Sequence, residues 1–317
     1  MSLSMFAITN ARAPSYDRAQ LPATTARCSG TFGELVQGRI GGRCFLVTLP
    51  INLYAFAAFH PDYVSRVRLG SNHQKVECFI DALSVELGHP IKGQLRLSSM
   101  IPRGKGLASS SADLVAAGTA VLGAYGVAPS LHARMIARAS GRVEPTDGVM
   151  YPGIVSFAQH NSQLIESFGH MDLNIIGCLL PGDIDTCVYD SSRIRYSSRE
   201  LRLFEEAYTL VRRAFEQKDR SLLGMAASIS AEINQRFLPK PQFDEVKKIA
   251  HATKAAGIVV AHSGTAIGLI APNAATPRQM ETMADALSQL YGMNADHFQT
   301  SLAGPTHRIV SRKAINQ

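Results

Sequence analysis

Ile101-Pro102-Arg103-Gly104-Lys105-Gly106-Leu107-Ala108-Ser109-Ser110-Ser111-Ala112-Asp113 is the stretch on which the reading of this chain turns. Two glycines free the backbone, three hydroxyls follow, and Leu114, Val115, Ala116 and Ala117 then open an apolar helical run. The first turn of a helix carries unpaired N–H groups and the positive end of the macrodipole. A glycine loop feeding it therefore makes a seat for phosphate. The order is not that of a Walker A loop, because Lys105 precedes the second glycine instead of following it. A serine-capped helix after a glycine turn is the plainer alternative.

Outward from this loop, the first half reads as a sheet with two or three helices. Residues 24–28, 44–49, 53–59, 65–69 and 94–98 are short, β-rich and bounded by Gly, Pro, Asn or His. Helices are expected over 110–123 and 130–139, the second opening on a Ser130 cap and ending at Gly141. Near residue 171 the pattern changes. An apolar strand is expected over 173–180, with 186–189 as its hairpin partner. Ser197-Ser198-Arg199-Glu200 is a capping-box signature ahead of Leu201, Phe204, Tyr208, Val211 and Phe215 on one helical face. A further helix carries Phe243, Val246, Ile249 and Thr253; strands follow at 258–261 and 266–270. A helix opening at Thr276-Pro277 stops at Gly292, and a last strand fits 307–310. That order is a split βαβ, ferredoxin-like sandwich. The chain is therefore expected to be α+β, with domains over 20–170 and 171–317, the first 20 residues forming a lead-in.

Composition narrows the function. The apolar share of 46% with 18% charged residues is that of an ordinary globular protein. No apolar run reaches the length of a bilayer span, and no secretory signal is evident, so no membrane partner is expected. Five cysteines without CxxC spacing fit free thiols in a reducing compartment, and a cytoplasmic location follows. A net charge of +7 could suit nucleic acid, but the basic residues are dispersed and no reader motif is present. A positive field equally suits a polyanionic nucleotide substrate.

Three more segments carry chemistry. Residues 28–38 hold Gly30, Gly33 and Gly38, which allow a tight path and close ligand approach, with Glu34 and Gln37 beside them. In Gly141-Arg142-Val143-Glu144-Pro145-Thr146-Asp147, Pro145 disfavours helix at Glu144 and holds two carboxylates on a short rigid segment. Such carboxylates suit Mg²⁺, a hard cation, or orient and deprotonate an attacking hydroxyl; a plain helix-terminal loop is the alternative. His262-Ser263-Gly264-Thr265-Ala266-Ile267-Gly268 is a glycine-bearing β-turn-β, where a simple hairpin is the alternative.

Pro102, Gly106, Leu107, Ser109 and Ser110 together form Pro-x-x-x-Gly-Leu-x-Ser-Ser, which is similar to the nucleotide-binding motif of the GHMP kinases. Gly33-Glu34 resembles the family's first motif, although Leu35 stands where His is usual and Ser29 where Pro is usual. The loop at 262–268 resembles the third motif, which closes against the nucleotide site. Gly-Glu-Leu-x-Gln-Gly at 33–38 and Glu-Pro-Thr-Asp at 144–147 are similar to the L-threonine kinase branch of cobalamin assembly.

The resemblance implies a two-domain GHMP-kinase fold, with a ribosomal-protein-like sheet and helices followed by the ferredoxin-like domain. It implies ATP-dependent phosphorylation of L-threonine to O-phospho-L-threonine, with ATP and Mg²⁺ as the cofactors. Pro102, Gly104, Lys105, Gly106, Leu107, Ala108, Ser109, Ser110 and Ser111 would wrap the phosphates. Ser109, Ser110 and Glu144 would hold the metal. Lys105 would pair with a phosphate, and Asp147 would orient or deprotonate the acceptor hydroxyl. Glu34, Gln37, Gly264 and Thr265 would line the acceptor side. Homoserine, a sugar or an isoprenoid are alternative acceptors, and a sensor without turnover is an alternative role. The assembly is left as monomer or homodimer.

Overall fold

A long antiparallel hairpin, β1 (Ala23–Ile40) and β2 (Arg43–Arg66), is the spine of the molecule. The structure is a computed structural model that describes residues 21–69, 73–183, 194–302 and 304–310. The lead-in over 1–20 and the hairpin partner expected at 186–189 lie outside the described residues. The strands expected at 44–49 and 53–59 are one strand. Pro50 between them pairs with Thr31 at a register shift, where a β-bulge tolerates the missing N–H. The strand expected over 65–69 is only the end of β2, which stops at Arg66.

Helix α1 (Gln74–Leu87) follows, with Val76, Phe79, Ile80 and Leu83 buried at helical spacing. After β3 (Lys92–Ser99), α2 (Ser109–Ala124) is buried from Ser111 to Ala124 on every side. A helix without a polar face belongs inside, and α2 lies between the hairpin and α3 (Pro129–Ser140). Ser130 does not cap α3: the cap is Ala128, and Pro129 opens the first turn. Strands β4 (Ile154–Ala158) and β5 (Gln163–Gly169) extend the sheet beyond β2.

The second half begins with β6 (Asn174–Leu179). Its helix α4 (Ser198–Gln217) has the expected reciprocal capping box between Ser197 and Glu200. Helix α5 (Arg220–Asn234) packs back on α4, and α6 (Phe243–Ala252) leads to β7 (Gly257–Val260) and β8 (Ala266–Ile270). Thr276 caps α7 (Pro277–Tyr291), and β9 (Asp296–Gln299) comes next. Strand order β7-β8-β6-β9, all antiparallel, is that of the split βαβ sandwich. The strand expected at its end, residues 307–310, instead returns as β10 (Thr306–Val310) to pair with β1. The closing strand β9 is short and polar, with only Phe298 buried, so it gave no apolar alternation to read.

The two halves of the sheet join where Glu34 of β1 pairs with Val260 of β7. Gly33 makes that approach possible: its φ is +57°, and a Cβ there would stand 2.4 Å from the Val260 carbonyl oxygen. No helix among the described residues is long and apolar enough to cross a membrane.

Candidate active site

The loop between β3 and α2 is tied down through its backbone. Leu107 is buried, and its carbonyl accepts the Thr31 N–H at 3.1 Å. The Lys105 carbonyl accepts both the Thr265 and Ala266 N–H groups at 3.1 Å, so the loop at 262–265 closes onto it. Gly106 has φ +80°, and a Cβ there would come within 2.4 Å of the Ala261 Cβ. Only glycine lets these two backbones touch.

Helix α2 starts with Ala108 as N-cap, in the left-handed region, and no side chain caps it. The serines are therefore not cap residues, which removes the plain helix-cap alternative. Ser109, Ser110 and Ser111 occupy the first turn, where the N–H groups face outward from the helix end. Two of their hydroxyls reach carboxylates. Ser110 Oγ donates to Glu144 Oε1, while the Lys75 ammonium holds Oε2 of the same carboxylate. Ser111 Oγ lies 3.2 Å from Asp147 Oδ2 and accepts the Asp147 N–H at 3.2 Å. Glu144 sits in the turn after α3, where its N–H still donates to Ser140.

Asp147 is part-buried, and desolvation raises its pKa to about 7; the charges of Glu34 and Glu144 add to the shift, and Ser111 opposes it. A carboxyl poised near neutrality beside the first turn of a helix has the acidity expected of a general base. Asp113, farther along α2, is also raised by burial, and Arg103 at 3.3 Å opposes the shift.

A buried network is built around Glu34 and His262. Glu34 Oε2 accepts the His262 N–H and meets His262 Nδ1, each at 3.0 Å. His262 Nε2 lies 2.7 Å from Ser230 Oγ, and that hydroxyl accepts the Gln37 N–H at 3.0 Å. The donors run in one direction when the imidazole proton is on Nδ1, an assignment made from the network. Thus β1, α5 and the loop after β7 are locked together at Glu34. Gln37 enters through its backbone. Thr265 Oγ1 donates to Leu180 O at 2.9 Å, so this hydroxyl is spent on the end of β6.

The structure brings Ser110, Ser111, Glu144 and Asp147 together at the head of α2, with Glu34 near enough to act on Asp147 electrostatically. Lys105 is placed elsewhere: its ammonium donates to Gly182 O at 2.6 Å and Leu180 O at 3.2 Å, and pairs with Asp183 at 3.1 Å. Two cationic residues carried no sequence motif. Lys75 lies in the first turn of α1 and gave no signal. Lys240 is buried between Pro239 and Pro241, and that Pro-Lys-Pro triplet was the available clue.

The donor set fits Mg²⁺. Glu144 and Ser110 supply adjacent hard oxygens, and Mg²⁺ is ordinarily held by one or two carboxylates together with substrate phosphates. Among the described residues no group of three or more His, Cys, Asp or Glu side chains forms an all-protein metal cage.

Comparison with known proteins gives the family. The model of the GHMP kinases N terminal domain matches residues 74–151, and that of the GHMP kinases C terminal matches residues 211–291. The chain belongs to the GHMP kinases. It is similar to the L-threonine kinases of Citrobacter freundii and Salmonella typhimurium, at 28% and 29% identity over 261 residues. Those matches cover 77% of this chain and 85% and 82% of the relatives. In fold it is similar to a homoserine kinase from Cytophaga hutchinsonii, with a TM-score of 0.68 at 14% identity, covering 90% of this chain and 98% of the other. It is also similar in fold to MDDEF, solved in complex with MVAPP, AMPPCP and magnesium, with a TM-score of 0.65 at 15% identity, covering 91% of this chain and 99% of the other.

Proposed function

We propose that this GHMP kinase phosphorylates the hydroxyl of L-threonine with ATP, yielding O-phospho-L-threonine. The observation that carries the reading is Asp147, a part-buried carboxyl gripped at both its carboxylate and its N–H by Ser111 in the first turn of α2, where desolvation raises its pKa to about 7. The identity to two L-threonine kinases favours threonine as the acceptor. The role in cobalamin assembly goes with that resemblance.

Phosphoryl transfer asks a protein for in-line positioning and electrostatic stabilisation more than for covalent chemistry. The first-turn N–H groups of α2 seat the phosphates, with Gly104 and Gly106 keeping the loop close to the helix end. Mg²⁺, held by Glu144 and Ser110 or Ser109, would neutralise phosphate charge when bound. Lys75 adds a cation at Glu144. Asp147 Oδ accepts the proton of the threonine hydroxyl, and Ser111 keeps the carboxylate aimed. Glu34, fixed by His262, offers its other oxygen to the acceptor ammonium.

Release of ADP, followed with MgATP alone and with threonine, serine, homoserine or simple sugars added, tests the proposal. Strong stimulation by threonine above the other acceptors supports it. Equal ADP release without any acceptor, or stimulation by sugars only, overturns it.

A further inference from the structure

Lys240 is 5% exposed, yet its ammonium has one acceptor among the described residues, the Leu238 carbonyl at 3.3 Å. Three N–H donors are available there, and no ion pair among the described residues takes them up. Burying an ammonium without a partner is costly, and so calls for a compensating anion. Burial also brings its pKa down to about 8, while Glu34 acts in the opposite sense. Asn234, the last residue of α5, leaves Oδ1 buried and unpartnered while its amide nitrogen reaches the His262 carbonyl at 3.4 Å. The backbone is built to hold this position: prolines flank Lys240, and its N–H donates to Gln235 Oε1 at 2.6 Å.

Asn234 reaches the His262 carbonyl, His262 donates its N–H to Glu34 at 3.0 Å, and Lys240 is tied to Gln235 next to Asn234, so one run of hydrogen bonds links the end of α5, Lys240 and Glu34. Glu34 also acts electrostatically on both Asp147 and Lys240. A carboxylate, a proton acceptor and a buried ammonium match the ammonium, hydroxyl and carboxylate of a hydroxy-amino acid. We propose that Lys240 binds the carboxylate of the amino-acid acceptor, opposite Glu34 on its ammonium, and so sets specificity for an α-amino acid over a plain alcohol. This rests on the reading that the acceptor is an amino acid.

The test compares L-threonine with L-threoninamide, in which a neutral amide replaces the carboxylate. In the wild-type enzyme the amide should show a KM at least about thirtyfold higher with kcat little changed, the size expected when one partner of a buried charged contact is lost. Lys240→Met should raise the threonine KM by a similar factor and leave the threoninamide KM unchanged, and Lys240→Arg should restore part of the threonine affinity. Equal KM values for both acceptors in the wild-type enzyme overturn the assignment even if the variant does not fold. Equal losses toward both acceptors in Lys240→Met overturn it as well. Failure of the wild-type enzyme to phosphorylate any amino acid overturns the proposed function itself, and the Lys240 assignment with it.

Discussion

The Ser111 hydroxyl stands 3.2 Å from Asp147 Oδ2 and 3.2 Å from the Asp147 nitrogen, so one serine grips both the carboxylate and the backbone that presents it. Its neighbour Ser110 takes Glu144 instead. Two consecutive residues of one helical turn therefore sort two carboxylates into two places. Lys75 neutralises Glu144, whereas Asp147 has Glu34 and Glu144 as charged neighbours and is pushed toward protonation.

From this follows a pH dependence. A base works in its ionised form, and burial raises Asp147 to about 7, so kcat/KM for threonine should rise with pH through that region and level above it. Asp147→Asn should lower kcat by roughly 10²–10⁴ and flatten the rise. Steady-state kinetics across pH 5–9 check both. An unchanged kcat with a raised threonine KM would make Asp147 a positioning group only.

Glu144→Gln keeps the side chain's shape and removes its charge. Turnover should fall by about a hundredfold or more, because metal-assisted charge neutralisation supplies several kcal/mol in reactions of this class. The measurement is kcat at saturating magnesium, with the far-ultraviolet circular dichroism unchanged. Near-normal kcat would remove Glu144 from the metal site.

Ser110→Ala separates capping from chemistry. The N-cap of α2 is Ala108 and makes no side-chain bond, so no cap is lost, and Glu144 keeps Lys75. Stability should drop by about 1 kcal/mol or less, while kcat with MgATP falls more than about tenfold. A fall in Tm with unchanged kcat would contradict the assignment.

Gly33→Ala should be costly where β1 joins β7 in the sheet. The backbone there is left-handed, and a Cβ would meet the Val260 carbonyl oxygen at 2.4 Å. A loss of about 1–3 kcal/mol is expected from strain alone, read by urea unfolding. Gly41→Ala shares a positive φ but meets nothing within 4 Å, and should cost less. Equal costs would show that the close approach to β7 carries no energy.

The parts of the fold written in local pattern were legible. The apolar run after the serines gave α2, the Ser197–Glu200 box gave α4, and Thr276-Pro277 gave α7. Helix α1 had readable spacing in Val76, Phe79, Ile80 and Leu83 but no motif drew attention to it. Long-range facts were not legible. Glu34 and His262 are 228 positions apart, and only the pairing of β1 with β7 makes them partners. The direction of the Lys105 ammonium depends on where β6 ends, and the burial of the Lys240 ammonium, with the Leu238 carbonyl as its acceptor, depends on the turn that follows α5. Residue type proposed these groups as chemistry, and topology assigned their neighbours.

Phosphorus NMR of a reaction containing the protein, MgATP and L-threonine tests the central claim most directly. The account predicts a new phosphomonoester resonance that coincides with authentic O-phospho-L-threonine, growing in step with ADP and absent with Asp147→Asn at equal time. ADP appearing with inorganic phosphate alone, or no loss of ATP while the folded protein is present, would contradict it.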